Sequence, residues 1–348
     1  MQEISKEQNL AVMQITLDPL TNVYYASFYM QGLIDIFGAS NIRYRNAPFL
    51  SLKSRTYAFN FVIVEKGIET RITIDFEDFD TIDPSCYHWC DVYGKVNTNW
   101  AKTPNADYPK IVSLAPGFGI RLWNWKETAY HAMFNLIKSK NYRNARKFLG
   151  KYKRQRVLRL PISAYTPEPA KDHYIFHVST LWQNDAYNQN DEKVNAPRAN
   201  FMEACKAMPE IEFEGGFYFT QQHPLNPRFK ELAFHHYLSP AIYLQKTKES
   251  CVVFNTPAFW NCHGWKLGEY LALGKAIIST PLSNDLPEPL VHGENIHFIS
   301  NEKKEMEDAI RLLVEDKTYR NKLEQGARAY YLRNATPAMS LALLGIGK

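Results

Sequence analysis

The sequence lacks any apolar run close to the roughly 18 residues that a membrane-spanning helix requires. Its mean hydropathy of -0.39 is in keeping with that lack. The first ten residues, MQEISKEQNL, are polar, so no signal peptide is visible. These absences predict a cytoplasmic protein which, where it meets a membrane, is peripheral on the inner face of the cell membrane.

Cysteine is scarce and odd in number. Five cysteines in 348 residues are not typical of a disulfide framework. Cys86 and Cys90 enclose His88, but a metal site would need two further ligands, and no second Cys/His cluster is apparent. We therefore expect buried free thiols, no metal and no other cofactor.

Acidic residues are absent from one segment, residues 138–159, which contains ten Lys and Arg. Such a segment attracts phosphate, either on nucleic acid or on an anionic membrane surface. The alternative is a solvated helix face. Nucleic acid is not expected as a partner, because zinc-finger spacing and an aromatic RNP-type motif are both missing. A membrane surface is favoured, because four apolar residues stand among the charges: Tyr142, Phe148, Leu149 and Tyr152.

What is present indicates a two-domain globular protein. Hydrophobic content is 45% and charged content 22%, and 348 residues is long for one domain. Pro161, Pro167 and Pro169 mark a linker. We predict a first domain over 1–165, a second over 166–317 and a C-terminal helical segment over 318–348.

Strands alternate with helices, most plainly in the second half. The pattern predicts a parallel, doubly wound sheet with right-handed crossovers, and hence two Rossmann-like α/β domains. The predicted strands lie at 10–17, 41–45, 91–96, 110–114, 173–179, 210–219, 251–255, 276–279 and 296–299, with a hairpin over 57–77. The predicted helices lie at 23–37, 125–137, 201–208 (entered through Pro197-Arg198), 238–247, 306–314 and 318–332.

The stretch NCHGWKLGEYLALGKAIIST, from Asn261 to Thr280, follows the predicted strand at 251–255. Ligands of open α/β sheets bind where such strands end. Gly264 lets the backbone approach a ligand, and the start of the next helix offers free N–H groups to phosphate. Lys266 adds a positive charge, and Glu269 is a hydroxyl acceptor. The alternative is that both are first-turn surface residues.

This stretch resembles the donor-site signature of GT-B glycosyltransferases, especially the family 4-like, group 1 type. Gly264, Glu269 and Gly274 stand in the order of the family's aromatic-Gly and EALA-G-K-P-V-I pattern, and Gly293 matches a later Gly before a strand. The resemblance is specific over residues 250–300 and one of architecture elsewhere. It implies two Rossmann-like domains facing across a cleft, the first on the acceptor side and the second holding a nucleotide sugar. In such proteins a final helix often returns to the first domain.

The resemblance also implies roles for the motif. Glu269 would bind the ribose hydroxyls, and the amides from His263 to Trp265, with Lys266, would meet the diphosphate or the donor sugar. Asn261 stands where the family's E-x(7)-E pattern has its first Glu; it can hydrogen-bond a sugar hydroxyl but has no charge, so a retaining mechanism is not implied.

Other residues are candidates for the remaining tasks. Lys193 and Arg198 would neutralise the diphosphate in place of the family's Arg and Lys, with a surface cap as the alternative for Arg198. No metal-binding Asp-x-Asp motif is evident, so cations and helix dipoles would take the leaving-group charge. An inverting transfer would need a base, for which Asp18 before Pro19 is the candidate, although a turn role suits it equally. His263 would orient the donor sugar or be a loop residue.

These expectations amount to a metal-independent glycosyltransferase of cell-surface polysaccharide synthesis. The acceptor would be a saccharide or a lipid-linked saccharide, with an anionic membrane surface as a partner through 138–159. The alternatives are a nucleotide-sugar epimerase of the same architecture and a catalytically inactive GT-B-like binding protein.

Overall fold

The computed structural model describes residues 13–53, 55–182, 191–218 and 227–347. It confirms the α/β fold class, with two Rossmann-like units. None of the helices in these ranges is long and apolar enough to cross a membrane.

The first unit is built on a six-stranded sheet in the order β2-β1-β3-β4-β5-β6. Its strands are β1 (Gln14–Leu17), β2 (Ile42–Tyr44), β3 (Ala58–Glu65), β4 (Ile68–Asp75), β5 (Val92–Lys95) and β6 (Ile111–Ser113). The sheet is mixed rather than wholly parallel, because the predicted hairpin makes β3 antiparallel to both neighbours. Its helices are α1 (Val23–Phe37), α2 (Pro84–Trp89), α3 (Trp125–Ser139) and α4 (Ala145–Leu158).

In the second unit, the strands of the described residues all pair in parallel. β7 (Tyr174–Thr180) pairs with β8 (Glu212–Tyr218), and β9 (Val253–Asn255), β10 (Ile277–Ser279) and β11 (His297–Phe298) form a second ladder. The Cys251 N–H donates to the Tyr174 carbonyl (2.8 Å), which brings the two ladders side by side. The helices are α5 (Asp191–Ala207), α6 (Pro240–Glu249), α7 (Trp265–Ala272), α8 (Lys303–Glu315), α9 (Lys317–Asn334) and α10 (Pro337–Leu343).

Both sheets are covered on both faces. Phe61 of β3 belongs to one hydrophobic cluster and Val62 to another, as alternation along a strand requires. Likewise Val253 and Phe254 of β9 belong to different clusters. The cluster that contains Phe61 and Val253 runs through both units, so their cores are continuous.

The last helix packs against the first unit. A Cβ on Gly32 of α1 would lie 2.3 Å from the Pro337 carbonyl oxygen of α10, so these two helices are in backbone contact. Only a residue without a side chain allows that approach.

Two local predictions are wrong. Arg198 does not stand at a helix entrance, because α5 begins at Asp191 and holds Pro197 in its interior. Phe148 and Tyr152 of the basic helix α4 do not lie among surface charges, because they are 3% and 2% exposed and belong to the core.

Candidate active site

The start of α7 is open at the carboxyl ends of the second unit's strands. Gly264 is its N-cap and has an ordinary φ of −73°. A Cβ there would come no closer than 3.7 Å to its nearest neighbour, the Ala258 side chain. Neither backbone conformation nor packing within the described residues therefore requires glycine, and the space beside the first helical N–H groups is free for a ligand.

Two cations that lack an ion-pair partner in the described part of the chain approach this helix start. Arg198 of α5 is 8% exposed, and its Nη1 has no hydrogen-bond partner in the described ranges. Lys266 of α7 donates its Nζ hydrogens to the Val178 carbonyl and to Ser179 Oγ (3.2 Å) at the end of β7. Within the described residues neither cation forms an ion pair, which is unusual for a buried arginine.

Burial also shifts the pKa values of Lys266 and Arg198. Burial, reinforced by the positive charge of Arg198, lowers the pKa of Lys266 to about 7. Burial lowers the pKa of Arg198 to about 10. The same two charges, after burial itself, push the pKa of His177 on β7 well below its ordinary value. Among the described residues, only the Glu269 carboxylate offsets the charge of Lys266.

Glu269 lies one turn further along α7 and is half-buried. Burial raises its pKa to about 7, while Arg159, Lys266 and Tyr165 act in the opposite direction. Glu269 therefore lies close to Lys266 at the start of its own helix and to Arg159 and Tyr165, which precede the second unit.

Trp265 links the two units through Arg159. The Arg159 Cζ lies 4.3 Å from the Trp265 ring centroid and 4.0 Å from that of Tyr24 on α1, so the guanidinium is held between two aromatic faces. A Cβ on Gly119 would lie 2.4 Å from Arg159 Nε, which explains the glycine there.

A cavity of about 430 Å³ opens beside the cations, at the carboxyl ends of β9 and β10. Lys193 and Asn261 both line it, as does Pro197, the neighbour of Arg198. Lys193 is exposed, and Asn261 has a left-handed φ of 61° directly after Trp260 at 63°. Two consecutive non-glycine residues in that region are a strained arrangement of the kind that clusters at functional sites.

His263 lies between the two units. Its N–H donates to Asn97 Oδ1 (2.8 Å) after β5, and its buried Nε2 has no partner in the described part of the chain. Burial lowers the pKa of His263 to about 4, so the ring is neutral at physiological pH. It is a buried residue of the interface rather than a surface loop residue.

Comparison with profiles of known protein families finds no match, and no curated protein matches the chain. Solved structures do resemble it. A glycosyltransferase from Rickettsia africae matches 77% of this chain over 67% of its own, at 15% identity and a TM-score of 0.43. The C-terminal domain of a group 1 family glycosyl transferase (LpcC) from Francisella tularensis aligns with 50% of this chain and 97% of its own, at 14% identity and a TM-score of 0.37. HepE from Anabaena, in complex with UDP-glucose, aligns with 74% of this chain and 78% of its own, at 11% identity and a TM-score of 0.38. All three likenesses are remote.

Asp18 is already engaged at the end of β1. Its carboxylate, 0% exposed, accepts from Arg55 Nε (2.7 Å) and Nη2 (2.5 Å) and from the Leu20 N–H (2.8 Å). Burial raises the pKa of Asp18 in spite of Arg55. The bidentate pair gives Asp18 a structural task, and its role as a base stays a prediction.

Sequence reasoning missed Glu77, which follows the end of β4. Burial raises its pKa to about 7, reinforced by Asp75 and Asp78. Glu77 lines a cavity of about 870 Å³ with Tyr57 and Trp89. The sequence does contain a signal for this residue, the acidic run DFEDFD at 75–80, which begins in the last residues of the predicted hairpin.

That run also corrects one expectation, because Asp78-Phe79-Asp80 is an Asp-x-Asp triplet. Asp80 pairs with Lys102 (2.5 Å), and burial raises the pKa of Asp78. No group of three His, Cys, Asp or Glu side chains that could hold a metal is found within the described ranges. Metal independence remains a prediction.

Asp18 and Glu77 can be separated as candidate bases by matched variants. Asp18→Asn should destabilise the fold by about 3 kcal/mol, since it leaves the Arg55 charge without its partner. Glu77→Gln should leave the fold at least as stable, since it removes a desolvated carboxylate, and should lower kcat of an inverting transfer on the order of a hundredfold. Denaturant unfolding and turnover test the pair; a stable Asp18→Asn variant without turnover would restore Asp18 as the base.

Proposed function

We propose that this protein is a glycosyltransferase that binds a nucleotide-sugar donor on its second unit. One observation supports this above the others. Two desolvated cations, Arg198 and Lys266, lie together at the open start of α7, and neither forms an ion pair within the described residues. An arrangement of this kind lowers its free energy when a diphosphate binds, because the anion supplies the missing charge.

The neighbouring residues suit the rest of such a donor. Glu269 would accept hydrogen bonds from the ribose hydroxyls. Lys193 and Asn261 would contact the donor from the 430 Å³ cavity. Gly264 and Trp265 would let the diphosphate reach the backbone at the helix start. His263, neutral and buried between the units, would orient the donor sugar.

The acceptor would bind in the first unit. The 870 Å³ cavity is within the size range of small-molecule sites and contains both aromatic faces and a carboxylate with raised pKa. Such a lining is suited to a sugar, which offers apolar C–H faces and hydroxyls. We propose a saccharide or lipid-linked saccharide of cell-surface polysaccharide synthesis as acceptor, and a transfer that needs no metal because Arg198 and Lys266 offset the leaving charge.

A thermal-shift panel with UDP, GDP, CMP and dTDP tests the donor proposal. A nucleotide present at about a hundred times its Kd adds roughly 2.7 kcal/mol of stability. At least one of the four nucleotides should raise the melting temperature of the protein. If none of them does, the donor proposal is contradicted. Turnover of the sugar nucleotide without any acceptor would instead indicate an epimerase, and binding without turnover under any acceptor would indicate a binding protein.

Nucleotide binding should also take up protons. Burial, reinforced by the positive charge of Arg198, gives Lys266 a pKa of about 7 in the free protein. A bound diphosphate favours the protonated ammonium, so the pKa of Lys266 rises and protons are taken up at about pH 8. Calorimetry in two buffers of different ionisation enthalpy measures the uptake, and Lys266→Met should reduce it. Equal apparent enthalpies in both buffers for the unmodified protein would speak against the role of Lys266.

A further inference from the structure

The outward face of α3 is apolar. Tyr130, Met133 and Ile137 are 62%, 51% and 57% exposed. Their spacing of three and four residues places them on one side of the helix, and Lys126 and Lys140 continue the same side toward its two ends. The buried side of α3, in contrast, packs on α4 and the core. We refer to Tyr130, Met133 and Ile137 as the α3 stripe.

Cations flank the α3 stripe, although one exposed acid, Glu127, lies in the first turn of α3. Beside the stripe, a cavity of about 370 Å³ is lined by Tyr130 together with Arg43, Arg45 and Lys138. Both arginines are exposed. Further exposed cations follow on the segment after α3 and on α4: Lys140, Arg143, Arg146, Lys147 and Lys153. No acidic residue occurs anywhere in 138–159.

We propose that the α3 stripe and its surrounding cations form a docking surface for an anionic lipid membrane. An apolar helix face flanked by Lys and Arg is the arrangement with which helices lie in a membrane interface. Each cation near an anionic leaflet adds to the attraction, and long Lys side chains can reach the headgroups while the stripe enters the acyl boundary. The 370 Å³ cavity would accept a phosphate headgroup between Arg43, Arg45 and Lys138.

The chemistry of the α3 stripe indicates which of three anionic partners the surface would bind. A nucleic acid base could stack on Tyr130, but Met133 and Ile137 have no ring and would stay in water. Free phosphate would use the cavity and leave the whole stripe in water. Of these three occupants, a membrane surface is the one that matches the apolar and the cationic parts together.

The structure also corrects which residues form the apolar and cationic parts of a membrane-docking surface. Phe148 and Tyr152 are core residues, and Arg154 and Arg156 lie over the rings of Tyr24 and Trp125. The apolar component of the surface comes mainly from α3, and of the aromatic residues within the basic segment only Tyr142 is exposed, at 58%. The surface does not depend on any catalytic activity.

Vesicle co-sedimentation of the full chain tests the surface, with phosphatidylcholine vesicles alone or containing phosphatidylglycerol. The protein should sediment with the anionic vesicles at low salt and dissociate as salt rises. Two double variants should each weaken binding at least roughly tenfold: Met133→Asp with Ile137→Asp, and Lys140→Glu with Arg143→Glu. Ile68→Asp, at a site 71% exposed, and Lys322→Glu on α9 are matched controls that should bind as the parent does.

Four results would overturn the proposal. They are no binding to anionic vesicles at low salt, undiminished binding by the α3 double variant, equal loss in the two controls, and full displacement by millimolar inorganic phosphate. Salt-sensitive binding of RNA without vesicle binding would assign the surface to nucleic acid instead. Circular dichroism of each variant establishes that it is folded.

Discussion

Replacing Arg198 with Met is expected to weaken nucleotide binding about a hundredfold and at the same time to make the folded protein more stable. Arg198 is 8% exposed, its Nη1 has no partner within the described residues, and Lys266 repels it. Removing such a desolvated charge relieves a cost, for which we expect about 1–2 kcal/mol of added stability. A charge-assisted contact to a diphosphate is lost in exchange, which should weaken binding about a hundredfold, or about 3 kcal/mol.

Arg320 of α9 is the matched control. It is equally buried, at 6%, but pairs with Asp172 (2.9 Å). Arg320→Met should therefore destabilise the fold and leave nucleotide affinity unchanged. Denaturant unfolding and calorimetric titration with the nucleotide selected by thermal shift measure both quantities. If Arg198→Met destabilises the protein like Arg320→Met and binds nucleotide normally, Arg198 is a structural residue.

Glu269→Gln is expected to weaken nucleotide affinity by about 1–3 kcal/mol, because a neutral amide accepts hydrogen bonds from ribose hydroxyls less strongly than a carboxylate does. The fold should tolerate the change. Burial raises the pKa of Glu269 to about 7, so the ionised carboxylate is disfavoured where it lies and the isosteric amide removes that cost. The loss of affinity should be largest above about pH 7, where the parent carboxylate is ionised.

Glu324 of α9 provides the comparison. It too is half-buried, and burial raises its pKa, but its neighbours are Lys275 and Arg320. Glu324→Gln should leave nucleotide affinity unaltered. Unchanged affinity in Glu269→Gln would remove the ribose role, and transfer that survives Glu269→Ala would remove Glu269 from the site altogether.

Local structure was largely predictable from local pattern. The helix α1 begins and ends where its apolar periodicity predicted, at Val23 and Phe37, and the Lys66-Gly67 turn marked the hairpin of β3 and β4. The start of α5 was misjudged because proline is commonest in the first turn of a helix, whereas Pro197 lies inside this one.

The site was less predictable, because its contacts join residues far apart in the chain. The sequence identifies Lys266 and Arg198 as cations, but only the fold brings the end of β7, α5 and the start of α7 together. The Arg55 partner of Asp18 and the desolvation of Glu77 are likewise invisible to spacing and periodicity, since burial depends on the whole packed structure.

The return of α10 to α1 has a mechanical consequence. The chain passes between the two units once through the segment after Arg159 and again between α9 and α10. Two bodies tethered at two separate places cannot swing freely about either tether. Turning about the line that joins the tethers is the relative motion that they restrict least, and such a motion would displace Trp265 relative to the guanidinium of Arg159 in the other unit.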